Sequence, residues 1–211
     1  MASKGFKKIW RASLRESWPI YLLAIITLTA GIGFGSWGAH NLQHDQIGQL
    51  TSYLDHFVNQ VEGVTVDRST AVKNTISNNL LFIGIIYFLG LTVIGTPAIL
   101  ALLFARGFSL GFTVSFLVQE KAGEGILIAL TSVMPQNILL IPAIYLASVA
   151  ALSFSWLLIR RFSNSRLPVL PGLIGYHILI LIVCCISASA GLVEAYVTPD
   201  LIKAAANFLT K

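Results

Sequence analysis

The chain has 211 residues, of which 55% are hydrophobic and 11% charged, and it carries a formal net charge of +5. A soluble domain carries about 25% charged residues, so this composition excludes an ordinary water-soluble globule and points to an all-α, polytopic membrane protein. The basic residues are segregated by loop rather than spread over one surface. That pattern sets orientation in a bilayer and argues against nucleic acid as a partner.

The first element is the apolar run Pro19–Ala39, preceded by Lys4, Lys7, Lys8, Arg11 and Arg15. At about 21 residues it exceeds the ~7–15 of a signal-peptide h-region, and Trp37 does not suit a small-residue cleavage site. It is therefore expected to be an uncleaved transmembrane helix, with residues 1–18 as a cytoplasmic basic N-terminus. Gly31, Gly33 and Gly35 carry the small-residue spacing that lets helix backbones approach closely.

Residues 40–79 read as an extracytoplasmic loop. His40, His44 and Asp45 superficially resemble a metal site, but a third ligand and the glutamate of a zinc-protease motif are missing. Surface histidines are the better reading. Within 46–62, Ile47, Leu50, Leu54, Phe57, Val58 and Val61 follow helical spacing, with Asp55, Asn59 and Glu62 off that stripe. This amphipathic helix is expected to lie on the outer membrane surface or pack on the protein, with partner docking as the functional alternative. Ile47, Leu50, Leu54, Phe57 and Val61 are the partner-binding candidates.

Leu80 to Ala105 holds no charge and is expected to form the second span, tilted and kinked at Pro97. Gly107–Ile159 follows, interrupted by the polar island "QEKAGEG" at 119–125. Its first part, Gly107–Val118, reaches only ~18 Å as a helix, and its second, Ile126–Ile159, would reach ~51 Å, too long for one crossing. Arg106 before the region and Arg160, Arg161 and Arg166 after it read as cytoplasmic flanks, so the region crosses twice. Gly107 and Gly111 again provide a packing face.

The longer part holds "TSVMPQNILLIPA" (131–143). Proline breaks the helical ladder and biases its predecessor away from the α region, predicting a broken or re-entrant helix near 126–137. A full span would restart at Ile138. Pro135, Gln136, Asn137 and Pro142 are read as helix-breaking and structural polar residues, the amides capping freed backbone groups. The alternative is a polar substrate or ion site at a broken helix, as in some transporters. No charged partner lies in the same segment, which ranks that reading second.

Gly172–Val193 is the fifth span. Cys184 and Cys185 are adjacent, which offers neither a CxxC motif nor a metal knuckle, and they read as small apolar fillers. His177 reads as a packed or hydrogen-bonded helix residue rather than a ligand. Ser187 to Gly191 offers a further close-packing face. Residues 194–211 read as an extracytoplasmic amphipathic helix capped by Thr198, with Pro199 at its first position and Leu201, Ile202, Ala205, Phe208 and Leu209 on one face.

With the N-terminus inside, nine basic residues lie on the cytoplasmic side: Lys4, Lys7, Lys8, Arg11, Arg15, Arg106, Arg160, Arg161 and Arg166. Five lie outside: Arg68, Lys73, Lys121, Lys203 and Lys211. This follows the positive-inside rule and leaves the C-terminus outside. There is no GxSxG, no Walker loop and no nucleophile with an identifiable base. No enzyme, cofactor or metal site is expected.

"FARGFSLGFTVSFL" (104–117), "TSVMPQNILLIPA" (131–143) and "EAYVTP" (194–199) stand in the order found in the stage II sporulation protein M family, which the chain resembles over most of its length. Related membrane proteins often carry a histidine-glycine pair after the first proline and a glutamate before the second. Here Gln136-Asn137 and Leu140 stand instead, removing a charged group that a transport or catalytic role would use. The resemblance implies a non-enzymatic membrane scaffold of the engulfment machinery at the sporulation septum. Its implied partners are the peptidoglycan-degrading stage II sporulation proteins P and D, with the lipid bilayer around it and self-association left open.

Overall fold

The computed structural model describes residues 2–43, 45–52, 68–163 and 169–209, with side chains at 18–43, 45–52, 70, 72–119, 125–127, 129–161 and 169–202. The described residues are almost entirely helical, as the apolar runs require. A backbone in hydrocarbon must satisfy its own hydrogen bonds, and a helix does so within one segment. The long helices are α1 (Ala2–His40), α2 (Arg68–Gly90), α3 (Gly95–Ser132), α4 (Met134–Ser163) and α5 (Val169–Leu209). Each contains a stretch long and apolar enough to cross a bilayer: Trp18–His40, Val72–Gly90, Gly95–Gln119, Met134–Arg161 and Val169–Ile202. The five spans expected from the sequence are present, but two of their boundaries differ.

The first difference is that Leu80–Ala105 is not one kinked helix. The chain reverses between Gly90 and Gly95. The Leu91 and Thr92 N–H groups donate to the Phe88 and Leu89 carbonyls, and the Thr92 hydroxyl also donates to the Leu89 carbonyl at 2.8 Å. Ser155 of α4 donates to the Thr92 carbonyl at 2.9 Å, and the Thr96 hydroxyl donates to Ser155 at 2.9 Å. With its polar groups satisfied from within, this turn needs no charged residue. A side chain at Gly90 would run into Ala151 and the Tyr176 hydroxyl, and one at Gly95 into the Leu89 carbonyl. Pro97 falls in the first turn of α3, where its missing N–H costs nothing, and kinks no span.

The second difference follows from the first. Gly107–Val118 is not an isolated short segment but the second half of the span Gly95–Gln119. Helical structure continues through the polar island to Ser132, yet it is not straight there. A Cβ on Gly125 would strike the Leu117 carbonyl, whereas a straight helix would separate the two by about 12 Å. The helical path folds sharply at the island. It breaks again at the single residue Val133, whose N–H donates to the Ala129 carbonyl at 3.0 Å. The break near 126–137 therefore stands, with α4 restarting at Met134 rather than Ile138. Pro135 lies in the first turn of α4, and Pro142 lies within it on an exposed face.

Close packing is built where the small residues are. Gly31 and Gly35 of α1 meet the backbone of Phe104, Phe108 and Phe112, and Gly107 and Gly111 of α3 meet that of Leu28 and Ile32. The two glycine faces therefore pack on each other within the chain, locking α1 and α3 side by side in parallel. Gly33 has nothing near it and points away. Ser36 donates to Ser115 across the same seam at 3.1 Å. α4 is the central helix, with 56% of its span window buried against 28% or less in the others. Its Leu140, Ala143, Ile144, Ala147 and Ala151 meet Ile83 and Ile86 of α2, Ile99 and Leu103 of α3, and Val183 of α5 in one core.

α5 runs antiparallel to α4, with Leu157 against Gly172 and Phe154 stacked on Tyr176 at 5.1 Å. It is also antiparallel to α2: Gly90 lies against Tyr176, and Ile76 against Gly191. The outward faces are apolar, including Ile26, Phe34, Leu81, Phe88, Ile138 and Leu181, which suits lipid as solvent. Trp18 and Trp37 stand exposed at the two ends of the α1 span, as interfacial tryptophans do.

Two further readings change. Pro199 lies within α5, which continues unbroken to Leu209, and Thr198 is buried with no partner for its hydroxyl. Thr198 therefore caps no new helix, because the backbone ladder never stops before it. Leu201 and Ile202 continue the same helix, while the side chains of Ala205, Phe208 and Leu209 lie outside those described. Cys185 is exposed and Cys184 half-buried, so they are not core fillers. Between α1 and α2, 45–52 is helical with Ile47 and Leu50 half-buried on one face, whereas Leu54, Phe57, Val58 and Val61 lie outside the described residues.

Candidate functional site

Correcting the α2–α3 turn relocates one residue with large consequences. Arg106 is not a cytoplasmic flank. It lies eleven residues into α3, inside the span Gly95–Gln119, at a depth of ~16 Å from the helix start, which is near the middle of a ~30 Å hydrocarbon core. An arginine at that depth costs at least ~2.5–3.5 kcal/mol unless the protein compensates it. The compensation comes from α5. Glu194 lies within the span Val169–Ile202, half-buried and near enough to Arg106 to interact with it electrostatically, and its carboxyl group accepts hydrogen bonds from Thr75 of α2 and Gln136 of α4. Four helices thus bring one polar group each to a single place near the end of the bundle where the α2 and α4 spans begin.

The segment around Pro135 serves this centre in two ways. Asn137 donates through Nδ2 to the Val133 carbonyl at 2.7 Å, which is the capping role expected of it. Gln136 does something else: it reaches across to Glu194. The helix break and the charged pair are therefore one construction. The antiparallel register of α4 and α5, fixed lower down by Phe154 and Tyr176, brings Gln136 level with Glu194.

Glu194 Oε2 is buried without a hydrogen-bond partner, and so, along the described helices, are Asn79 Nδ2, Asn137 Oδ1, Ser148 Oγ, Ser187 Oγ and Thr198 Oγ1. Each such atom costs about 1–3 kcal/mol relative to a satisfied one. Sequence reasoning missed this site because it placed Arg106 and Glu194 in opposite loops. The available signals were Gly90, Gly95 and Pro97, a helix stop followed by a helix start, in the stretch read as a single span.

The other sequence candidates lie apart from this centre. His177 donates from Nδ1 to the Leu173 carbonyl at 2.8 Å, so its Nε2 accepts from the Tyr87 hydroxyl at 2.6 Å. The Tyr176 hydroxyl donates to the Tyr87 carbonyl at 3.0 Å, making His177 part of a hydrogen-bonded aromatic cluster, as expected. His40 is exposed at the end of α1, and His44 lies outside the described residues. Among the described residues no three His, Cys, Asp or Glu side chains group to hold a metal. A shallow apolar crevice of about 290 Å³, lined by Trp18, Tyr21, Leu22, Ile25 and Tyr145, faces outward between α1 and α4.

The fold and this centre define a polytopic helical membrane protein with an arginine and a glutamate half-buried near one another among its spans. Residues 24–199 match the family described as stage II sporulation protein M. The match covers most of the chain and takes in all four helices that build the polar centre, and the protein belongs to that family. No curated protein and no solved structure matches the chain.

Proposed function

We propose that the protein is a non-enzymatic membrane scaffold of the sporulation engulfment machinery. Membership in the stage II sporulation protein M family is the observation that carries this reading. The chain sits in the septal membrane with its N-terminus cytoplasmic and its C-terminus outside. It holds the peptidoglycan-degrading stage II sporulation proteins P and D there, and the hydrolytic chemistry belongs to those partners. The half-buried face that begins with Ile47 and Leu50 supports an outer docking surface. Co-purification from detergent-solubilised sporulating cells tests the reading: both hydrolases are expected with the chain. Their absence from a correctly inserted protein overturns it.

A second reading rests on a specific observation. Arg106, Glu194 and Gln136 meet inside the spans beside a helix break, the arrangement that polytopic proteins use to bind solutes or ions. A solute-dependent flux in reconstituted vesicles, lost in Glu194→Gln, supports a transporter-like subunit. Partner recovery without flux supports the scaffold.

A further inference from the structure

The outward crevice of about 290 Å³ between α1 and α4 has one wall made of Trp18, Leu22 and Ile25. These stand four and three residues apart, on one face of α1. Tyr145 forms the other wall, and its hydroxyl donates to the Tyr21 carbonyl at 2.9 Å, which ties the two walls together. Trp18, Leu22 and Ile25 are all exposed, so the surface left open is largely apolar. α1 runs as one helix back to Ala2. Counting back from Trp18 by threes and fours reaches Arg15, Arg11, Lys8 and Lys4. Such a repeat drifts by only about 20° per heptad, so these positions share the crevice's side of the helix. Glu16, the one acid before the span, stands off that stripe, about 100° from Arg15.

From this juxtaposition we propose that the α1–α4 crevice seats one acyl chain of an anionic phospholipid, with Arg15 and Arg11 placed to hold its phosphate. Shape and charge select this occupant. The crevice opens outward at the end of the α1 span, beside the interfacial Trp18, where a bilayer chain lies along the helix. Its volume is at the small end for a ligand pocket, which suits a length of single chain. Arg15 is ~4.5 Å and Arg11 ~10 Å along the axis from Trp18. The headgroup layer beyond the hydrocarbon is roughly 5–8 Å thick on each side, so the two positions fall within it and just beyond it. Arginine is the residue that pairs with phosphate in bidentate geometry. A zwitterionic lipid offers the same phosphate offset by its own ammonium, which the basic stripe disfavours. A second copy of this chain would set five basic residues against five others, a like-charge contact. The proposal requires neither flux nor partner binding and stands independently of both readings above.

Fluorescence quenching by brominated lipid tests it on the full chain in vesicles of phosphatidylglycerol mixed with phosphatidylcholine. With Trp10, Trp37 and Trp156 replaced by phenylalanine, only Trp18 reports, and bromine is carried on the chains of one lipid at a time. Trp18 is expected to select phosphatidylglycerol at least about fivefold, the effect of roughly one basic residue near the surface. Arg11→Gln/Arg15→Gln is expected to abolish that preference. A companion protein that keeps only Trp37, at the other end of the span, is expected to show none. Equal quenching of Trp18 by the two lipids means ordinary bilayer contact and overturns the proposal. Shielding of Trp18 from both lipids means that protein covers the crevice, and overturns it as well. Native mass spectrometry of the unsubstituted chain covers the case in which a variant does not fold. Bound phosphatidylglycerol is expected to be retained from an equimolar mixture, and equal retention of both lipids overturns the site. Ile25→Trp fills the crevice without changing a charge and is expected to lower that retention severalfold. Unchanged retention would reduce the site to surface charge and overturn the seat.

Discussion

Arg106 and Glu194 show how much a single residue's meaning depends on depth. In an aqueous loop each would be an ordinary surface charge worth little to stability. Half-buried among the spans, each lowers the cost of the other's charge, so removing one destabilises the charge that stays behind. Arg106→Leu is therefore expected to lower thermal stability strongly. The double variant Arg106→Leu/Glu194→Leu is expected to recover much of that loss. Melting of the two purified variants checks this, and additive losses would mean the two charges do not interact. Asn137→Leu removes the donor to the Val133 carbonyl and is expected to cost ~1–3 kcal/mol. Normal stability in that variant, with partner recovery lost, would move Asn137 from a capping role to a recognition role.

At the scale of elements, the α1–α3 pair is held by backbone approach rather than by large side chains. Gly31 and Gly107 stand where any Cβ would enter the partner's backbone, at the Phe104 and Leu28 carbonyls. Gly31→Val is expected to destabilise the bundle by about 1–3 kcal/mol through overpacking. Gly33→Ala is expected to be neutral, since nothing lies within 4 Å of that position. Unfolding monitored on both variants distinguishes the faces, and equal effects would mean that the seam is not set by glycine. The glycine spacing was legible in the sequence because it is local. Which glycine face met which helix was not, because that pairing joins positions some 75 residues apart.

For the whole molecule, the expected orientation still satisfies the positive-inside rule when Arg106 is taken out of the count. In that orientation eight basic residues would lie inside (Lys4, Lys7, Lys8, Arg11, Arg15, Arg160, Arg161 and Arg166) against the same five outside. Cysteines introduced at Ser69 and Thr210 are expected to react with a membrane-impermeant reagent in intact cells, and one at Ser163 is not. Labelling at position 163 would refute the orientation. Replacing Leu54 and Phe57 with charged residues is expected to impair partner recovery or engulfment while leaving membrane insertion intact. Normal engulfment in that variant would reduce the stripe to a membrane contact.

The sequence alone determined that this chain lives in a bilayer, that it is helical, that it has five spans and that its path breaks near Pro135. Those properties follow from hydropathy, run length and proline chemistry, which act within a few turns of the chain. It also carried a family resemblance through motifs whose order the fold preserves. The reversal at residues 91–94 was hidden, because a turn that satisfies its polar groups with Thr92 and Ser155 carries no charge to announce it. Misplacing that turn moved Arg106 out of the membrane and left Gln136 without an evident partner. Only the tertiary structure could bring Arg106, Glu194, Gln136 and Thr75 together. Each comes from a different helix, and their meeting depends on the register of antiparallel packing, which no local pattern encodes.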